Sequence, residues 1–286
     1  MIPDRFQHQR FELKYVISES LALCIREFVS GYLELDEFGA TMPNYSYPVH
    51  SLYLDSRDLR TYRSTVSGDK NRFKLRLRYY DDSPETPIFF EIKRRMNTTI
   101  LKERGGVKRA SVKTLLAGQL PCVDDLVSNR PSHMAGLQRF AHLMTALNAE
   151  PKVHVAYLRE AWISRHDNSI RVTLDRHVQC DLDPTARLDT QSVNPVVVFN
   201  GLVILELKFT NRFPDWFNHL VATFGLAQAG AAKYVGGVEL LGEQRVSRAN
   251  SFQSQYSGLV TALDPKSRSH IQPSTIQSLP ALAPAT

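Results

Sequence analysis

Cysteine is scarce and scattered in this chain: Cys24, Cys122 and Cys180 stand alone, with no Cys-x-x-Cys pair and no histidine at zinc-ligand spacing. That argues against a disulfide framework or a structural zinc, and the three read as small buried residues. Long apolar runs are missing too. None approaches the roughly 18 residues of a membrane span, and Pro3, Asp4, Arg5 and Gln7 interrupt the start, where an export signal needs charge followed by an apolar stretch. A cytoplasmic location is expected. Neither Gly-x-x-x-x-Gly-Lys-Ser/Thr nor Gly-x-Gly-x-x-Gly occurs, so P-loop and Rossmann nucleotide sites have no support. Gly-x-Ser-x-Gly is also absent, leaving no signature for a serine hydrolase.

What is present is a strict alternation of charge and apolarity. In Arg72-Phe-Lys-Leu-Arg-Leu-Arg-Tyr79, a strand places Arg72, Lys74, Arg76 and Arg78 on one face and Phe73, Leu75, Leu77 and Tyr79 on the other. The pattern returns in Ile88 to Arg95, with Glu91, Lys93 and Arg95 set against Ile88, Phe90 and Ile92. Carboxylate and cation also sit two apart in Glu12-Leu-Lys14 and Glu206-Leu-Lys208, each inside an apolar run. One wet face on an antiparallel sheet explains any single strand of this kind. Recurrence in separate strands points instead to a sheet closed into a barrel, with charged faces converging on the axis and apolar faces packed outward against helices. Such a lining needs a polyanionic ligand, because crowded cations without one repel each other and lose solvation.

The fold class is therefore α+β, an antiparallel barrel tunnel with surrounding helices. One domain is expected over residues 1–243, carrying a helical insert at about 111–149, with a disordered Ser/Pro/Ala-rich tail over 244–286. Ser18 caps a helix over Glu19 to Ser30. Val49 to Leu54 is a strand, and Asp55 or Ser56 caps a short helix after it. Thr98 to Arg104 is a short strand ended by a Gly105-Gly106 turn. The insert carries Met134, Leu137, Phe140, Ala141, Met144 and Leu147 at helical spacing. Strands resume over 152–164 and 170–175, placing Arg159 and Arg171 within them. Pro214 starts a helix, and Gly236-Gly237 reads as a break after Lys233-Tyr234.

Charge is concentrated as well as patterned. Residues 70–109 hold 12 Lys and Arg against 5 Asp and Glu, a balance of +7, while the whole chain carries 35 against 29, or +6. A local excess built into strands indicates a defined anion site more than a generally basic surface. Paired-carboxylate glycosidase chemistry fits poorly, since arginines and lysines would hold both acids ionised. Phosphoryl transfer fits, because it asks for positioning, cationic stabilisation of phosphate oxygens, and a divalent metal held by a carboxylate.

With these residues in view, the chain resembles a known family. Phe11-Glu-Leu-Lys-Tyr15, Ser51-Leu-Tyr-Leu-Asp55, Phe73-Lys-Leu-Arg-Leu-Arg-Tyr79, Phe90-Glu-Ile-Lys-Arg94, Leu101-Lys-Glu103, Tyr157-Leu-Arg159, Arg171-Val-Thr-Leu-Asp175, Leu205-Glu-Leu-Lys208 and Ala232-Lys-Tyr234 look like the VTC domain, the polyphosphate polymerase domain of vacuolar transporter chaperone proteins and their bacterial relatives. The resemblance runs in order over about residues 6–240, as in a stand-alone bacterial-type member. It implies a triphosphate tunnel metalloenzyme that moves the terminal phosphate of ATP onto a polyphosphate chain, with Mn2+ or Mg2+. By position, Lys14, Arg76, Arg78, Lys93, Lys102, Arg159, Arg171 and Lys233 correspond to the family's phosphate-binding cations and Glu206 to its metal ligand. Glu12, Glu91 and Lys208 share the charged face in the strand reading. The chain departs from some family members at Gly230 and Ala232, where those carry Lys and Ser.

Three functions are compatible with these residues: a polyphosphate polymerase, a hydrolase of triphosphate or nucleoside triphosphates on the same scaffold, and a polyanion binder without catalysis. Sequence-specific nucleic-acid binding ranks last, because Phe73 and Tyr79 lie on the face opposite the arginines and cannot stack bases between them.

Overall fold

In the computed structural model, residues 10–249 are described apart from 98, 166–168 and 211. Ten strands form one antiparallel sheet: β1 (Arg10–Ile17), β2 (Glu34–Leu35), β3 (Ser46–Asp55), β4 (Asn71–Tyr79), β5 (Ile88–Met96), β6 (Thr99–Val107), β7 (Glu150–Ile163), β8 (Ile170–Leu182), β9 (Val196–Val197) and β10 (Val203–Thr210). Among the described residues, seven α-helices accompany them: α1 (Glu19–Ser30), α2 (Arg60–Val66), α3 (Val112–Leu116), α4 (Pro131–Leu147), α5 (Asp215–Thr223), α6 (Lys233–Leu241) and α7 (Glu243–Arg248).

The strand order is β2-β7-β3-β4-β5-β6-β1-β10-β8-β9, and β7 also pairs with β8. The sheet therefore curls back on itself. It is not zipped along its whole circumference: β1 and β6 share the single register pair Arg10↔Ile100. Past that point the free edge of β1 is met by the segment before α6, through the Tyr15↔Gln228 bridge and an Ala229 N–H donated to the Lys14 carbonyl. The mixed antiparallel architecture matches the sequence reading, and full closure of the wall does not extend to this joint.

Alternation does the packing work. Leu75 and Leu77 of β4 and Phe90 and Ile92 of β5 lie on the outer face with Leu137, Phe140 and Met144 of α4 in one apolar cluster. Leu205 and Leu207 of β10 and Val172 and Leu174 of β8 pack similarly against Ile25 and Val29 of α1 and Phe217 and Leu220 of α5. Each such side chain withdrawn from water contributes about 1.5–3 kcal/mol, so the outer face holds the helices in place. α1 starts as its sequence indicates, with the Ser18 side chain accepting the Leu21 N–H.

Several boundaries differ from expectation. Gly105-Gly106 is no turn: β6 runs through both residues to Val107. A Cβ at Gly105 would lie 2.4 Å from Leu137 Cγ and 2.5 Å from the His133 carbonyl oxygen, so glycine here serves close approach of α4 to the sheet. Gly236-Gly237 is likewise inside α6, where a Cβ at Gly237 would meet Cys180 Sγ at 2.5 Å. The helix after Asp55 begins at Arg60 with Leu59 at φ 57°, and Asp55 serves it from the strand end. The expected tail over 244–286 begins instead with α7, whose residues run to Arg248; the remainder of that reading lies outside the described residues. Only Cys180 is buried, while Cys24 and Cys122 are exposed.

Candidate functional site: a charged inner face

Register decides which charges meet. Lys14 lies opposite Glu206, which lies opposite Thr173, and Glu12, Lys208 and Arg171 form the next row across β1, β10 and β8. On the facing wall, Lys74, Lys93 and Lys102 stand in one row across β4, β5 and β6, beside Arg76, Glu91 and Arg104 in the next. Three lysines side by side are mutually repulsive. Countercharges relieve them: Lys93 Nζ lies 3.1 Å from Glu12 Oε2 on the other wall, and Lys102 Nζ 2.6 Å from Glu91 Oε1.

Two acidic centres organise the rest. Glu206 binds Lys14 through Oε1 at 3.0 Å and Lys208 through Oε2, with Lys233 at 3.6 Å and Arg159 at 3.7 Å. Burial alone would raise its carboxyl, but Lys14, Lys208, Lys233 and Arg159 together hold it well below the usual carboxylate range. Asp175, fully buried, receives a two-toothed bond from Arg159, Nε to Oδ1 at 2.7 Å and Nη2 to Oδ2 at 2.8 Å, and Lys233 Nζ at 2.6 Å. The same lysine lies 4.8 Å over the Tyr157 ring, with Arg159 and Arg78 at 5.2 and 5.8 Å from it. Lys233 reaches this point from the first turn of α6, which lies on the inner face because Tyr234 stacks on Tyr53, the register partner of Arg76.

The structure thus gathers Glu12, Lys14, Arg76, Arg78, Glu91, Lys93, Lys102, Arg159, Glu206, Lys208 and Lys233 on one concave face. Arg171, in the row of Lys208 and Glu12, is already engaged, its Nη2 held at 2.8 Å by Asp36 Oδ2, which also accepts from the Tyr47 hydroxyl. Arg76 is engaged as well, through Nε and Nη2 to Glu91 Oε2 at 2.8 and 2.7 Å. Arg78 differs from both. It is 5% exposed, has no ion-pair partner among the described residues, and its buried Nε has no hydrogen-bond partner.

The inner face carries more positive charge than its acids neutralise. Burial pulls Lys74 down to about 8, outweighing the help of Tyr53, with Lys14, Lys93 and Arg72 adding to the fall. Burial, against the pull of Glu91 and with Arg76 and Arg78 adding to it, brings Lys102 to about 7. Lys208 falls to about 8 for the same first reason despite Glu206. Lysines that give up protons near neutrality mark a place that favours an added anion.

Sequence reasoning left Asp175, Tyr157, Tyr53 and Lys74 out of the site. Asp175 and Lys74 were visible as members of alternating faces; Tyr157 and Tyr53 look like ordinary strand aromatics until their cationic neighbours are placed. Among the described residues there is no cluster of three acids able to cage a metal ion. Glu12 and Glu206 do converge on one cation, each 3.0 Å from Lys14 Nζ.

Among solved structures, the chain is similar to the PH1819 protein of Pyrococcus horikoshii, with 12% identity over 79% of this chain and 96% of that one, at a TM-score of 0.41. A candidate adenylate cyclase of Bacillus halodurans shows 13% identity over 79% and 94%, at 0.45. A candidate adenylate cyclase of Vibrio parahaemolyticus shows 10% over 79% and 95%, at 0.38. None of the curated proteins compared with it matches. The profile of the VTC domain matches residues 9–242, a span that holds β1 to β10 and α1 to α6, and on this match the chain belongs to the VTC domain family.

Proposed function

We propose that the protein is a polyphosphate polymerase, transferring the terminal phosphate of ATP to a polyphosphate chain held along the inner face of the curled sheet, which serves as the tunnel. The observation that carries the reading is the buried guanidinium of Arg78, which has no ion-pair partner among the described residues, beside lysines whose protons are held loosely. Several phosphates in a row supply the charge these groups lack. Phosphoryl transfer needs no protein nucleophile; it needs donors aimed at equatorial oxygens and reacting groups held in line. Arg78, Lys74 and Lys102 would bind the phosphates, Arg159 and Lys233 would orient the neighbouring units, and Glu91 and Asp175 would hold those cations in position. A divalent ion such as Mn2+ or Mg2+ fits Glu206, with Glu12 beside it, provided that phosphate oxygens complete its shell, the mode in which magnesium is commonly bound. When bound it would neutralise charge on the reacting phosphates.

A second reading, hydrolysis of triphosphate on the same face, is favoured by one feature. At Gly230 a Cβ would meet nothing within 4 Å, and Ala232 carries no polar side-chain atom, so neither of these two positions offers a side-chain hold on a chain end. Incubation with ATP and Mn2+, followed by gel separation, distinguishes them: long-chain product supports the polymerase, and free phosphate alone replaces it with the hydrolase. Binding is checked with inorganic tripolyphosphate. Arg78→Ala removes a charge-assisted contact of about 1.5–3 kcal/mol, so affinity should fall roughly 10- to 150-fold. A loss below about threefold that vanishes at high salt would mean Arg78 faces water and would overturn the site.

A further inference from the structure

Tyr53 lies opposite Arg76 on β3, so its ring projects to the same face as the β4 cations. It is 8% exposed and stacks on Tyr234, with centroids 4.8 Å apart and planes 18° apart. The Tyr234 hydroxyl donates to Asp55 Oδ2 at 2.9 Å, which anchors the stack from behind. Tyr53 itself accepts a hydrogen bond from Arg76 Nη1 at 3.2 Å. A phenol oxygen that accepts one bond still has a proton to donate, and among the described residues no acceptor takes it. Lys74 and Arg78 stand to either side of Arg76 on the same face of β4. The unplaced proton is therefore set among cations, where the missing acceptor is an anion.

We propose that Tyr53 is a phosphate-binding residue, its hydroxyl oriented by Arg76 and by the Tyr234 stack to donate to an oxygen of the polyanion along β4. This inference rests on the reading of the inner face as a polyphosphate site and adds a neutral donor to it. A phenol does what a further cation cannot: it contacts phosphate without adding to the repulsion among Lys74, Arg76 and Arg78.

The same placement makes the contact pH-dependent. Burial would raise the phenol, but Arg76, Lys74 and Arg78 draw it down to about 8. From α6 it faces Tyr234, whose own phenol is pushed up by burial and by Asp55, and its β7 partner is the uncharged Val153. Once ionised, Tyr53 donates nothing and cancels one neighbouring cation. Because phosphate binds the protonated form better, affinity falls as pH rises through the phenol's pKa, and bound phosphate raises that pKa by the same free energy.

The test is calorimetric titration with inorganic tripolyphosphate between about pH 6.5 and about pH 9.5, for wild type and Tyr53→Phe, together with tyrosinate absorbance in the near ultraviolet. Phenylalanine keeps the stack on Tyr234, so the change removes only the hydroxyl. Near neutrality Tyr53→Phe should bind on the order of tenfold more weakly, with the gap narrowing as pH rises. An absorbance step near pH 8, missing from Tyr53→Phe, should move up by about one pH unit when tripolyphosphate saturates the wild type. Lys102 titrates in both proteins and cancels in the comparison, whereas Lys74, whose proton Tyr53 helps to hold, is coupled to the phenol, so the tyrosinate absorbance is what isolates Tyr53 itself. Equal affinity of the two proteins at every pH, or a step that ligand does not move, overturns the role of Tyr53 while wild-type binding leaves the polyphosphate reading standing. Failure of wild type to bind tripolyphosphate overturns both.

Discussion

Glu206 is a brace among cations, and the metal-binding role proposed for it is separable from that one. It faces four cations, Lys14, Lys208, Lys233 and Arg159, and removing one partner of a buried pair leaves the others uncompensated. Glu206→Gln keeps shape and removes charge. Without ligand it should lower unfolding free energy by about 3–5 kcal/mol, and tripolyphosphate should restore much of that loss by replacing the missing negative charge. Thermal melts with and without tripolyphosphate check this; a variant as stable as wild type without ligand would mean that the carboxylate does not hold the cations together. If Glu206 also binds the metal, turnover stays abolished after stability is restored. The two roles are thereby separable in one variant.

At the scale of elements, the position of the charged rows depends on how closely helices approach strands. α4 crosses β6 where Gly105 and Gly136 remove side chains from both surfaces: a Cβ at Gly136 would lie 3.0 Å from the Arg104 carbonyl oxygen. Gly105→Ala puts a methyl against Leu137 and the His133 carbonyl, and the carbonyl cannot yield as a side chain would. Overpacking of this kind costs about 1–3 kcal/mol, to be read from the urea midpoint; a change below about 0.5 kcal/mol would refute the close contact. Because Lys102 lies three residues before Gly105, the same variant should also weaken tripolyphosphate binding. α2 and α6 are fastened in a comparable way by Asp55, which accepts from the N–H groups of Ser56, Thr61 and Tyr62 and from the hydroxyls of Thr61 and Tyr234. That carboxylate links the end of β3 to the helix bearing Lys233.

For the whole molecule, the joint between β3 and β7 carries a buried histidine pair on the outer side of the wall, His50 Nδ1 lying 3.1 Å from His154 Nε2 and beside the Tyr79 ring. Burial, with His154 and Arg78 adding to it against Asp82, lowers His50 from 6.5 to about 4. The unfolded chain therefore binds more protons than the folded one between these values. Stability is fully present above pH 6.5, the unfolded value, and is lost as pH falls through the folded value of about 4. Urea unfolding at stepped pH should show this decline, with a shallower slope for His50→Gln; identical slopes would mean that the pair is not buried neutral.

Much of this protein is written in its alternation. Period-two patterns place Leu75, Leu77, Phe90 and Ile92 outward and Arg76, Arg78, Glu91 and Lys93 inward, because a strand has only two faces and water takes the charged one unless another wall does. Local chemistry likewise sets Ser18 as a helix cap. What local pattern cannot carry is distance between segments remote in sequence. The Gly105-Gly106 pair reads as a turn until α4 is laid against it, and Gly236-Gly237 as a break until Cys180 is placed beneath it. Tyr53 is one aromatic among many until Arg76 and Tyr234 meet it. The sequence by itself determined which residues are charged and which face they share. Tertiary structure decided which cations are already paired, as Arg171 is with Asp36, and which, like Arg78, have no ion-pair partner among the described residues, because pairing depends on the curl of the sheet bringing opposite walls within ion-pair reach.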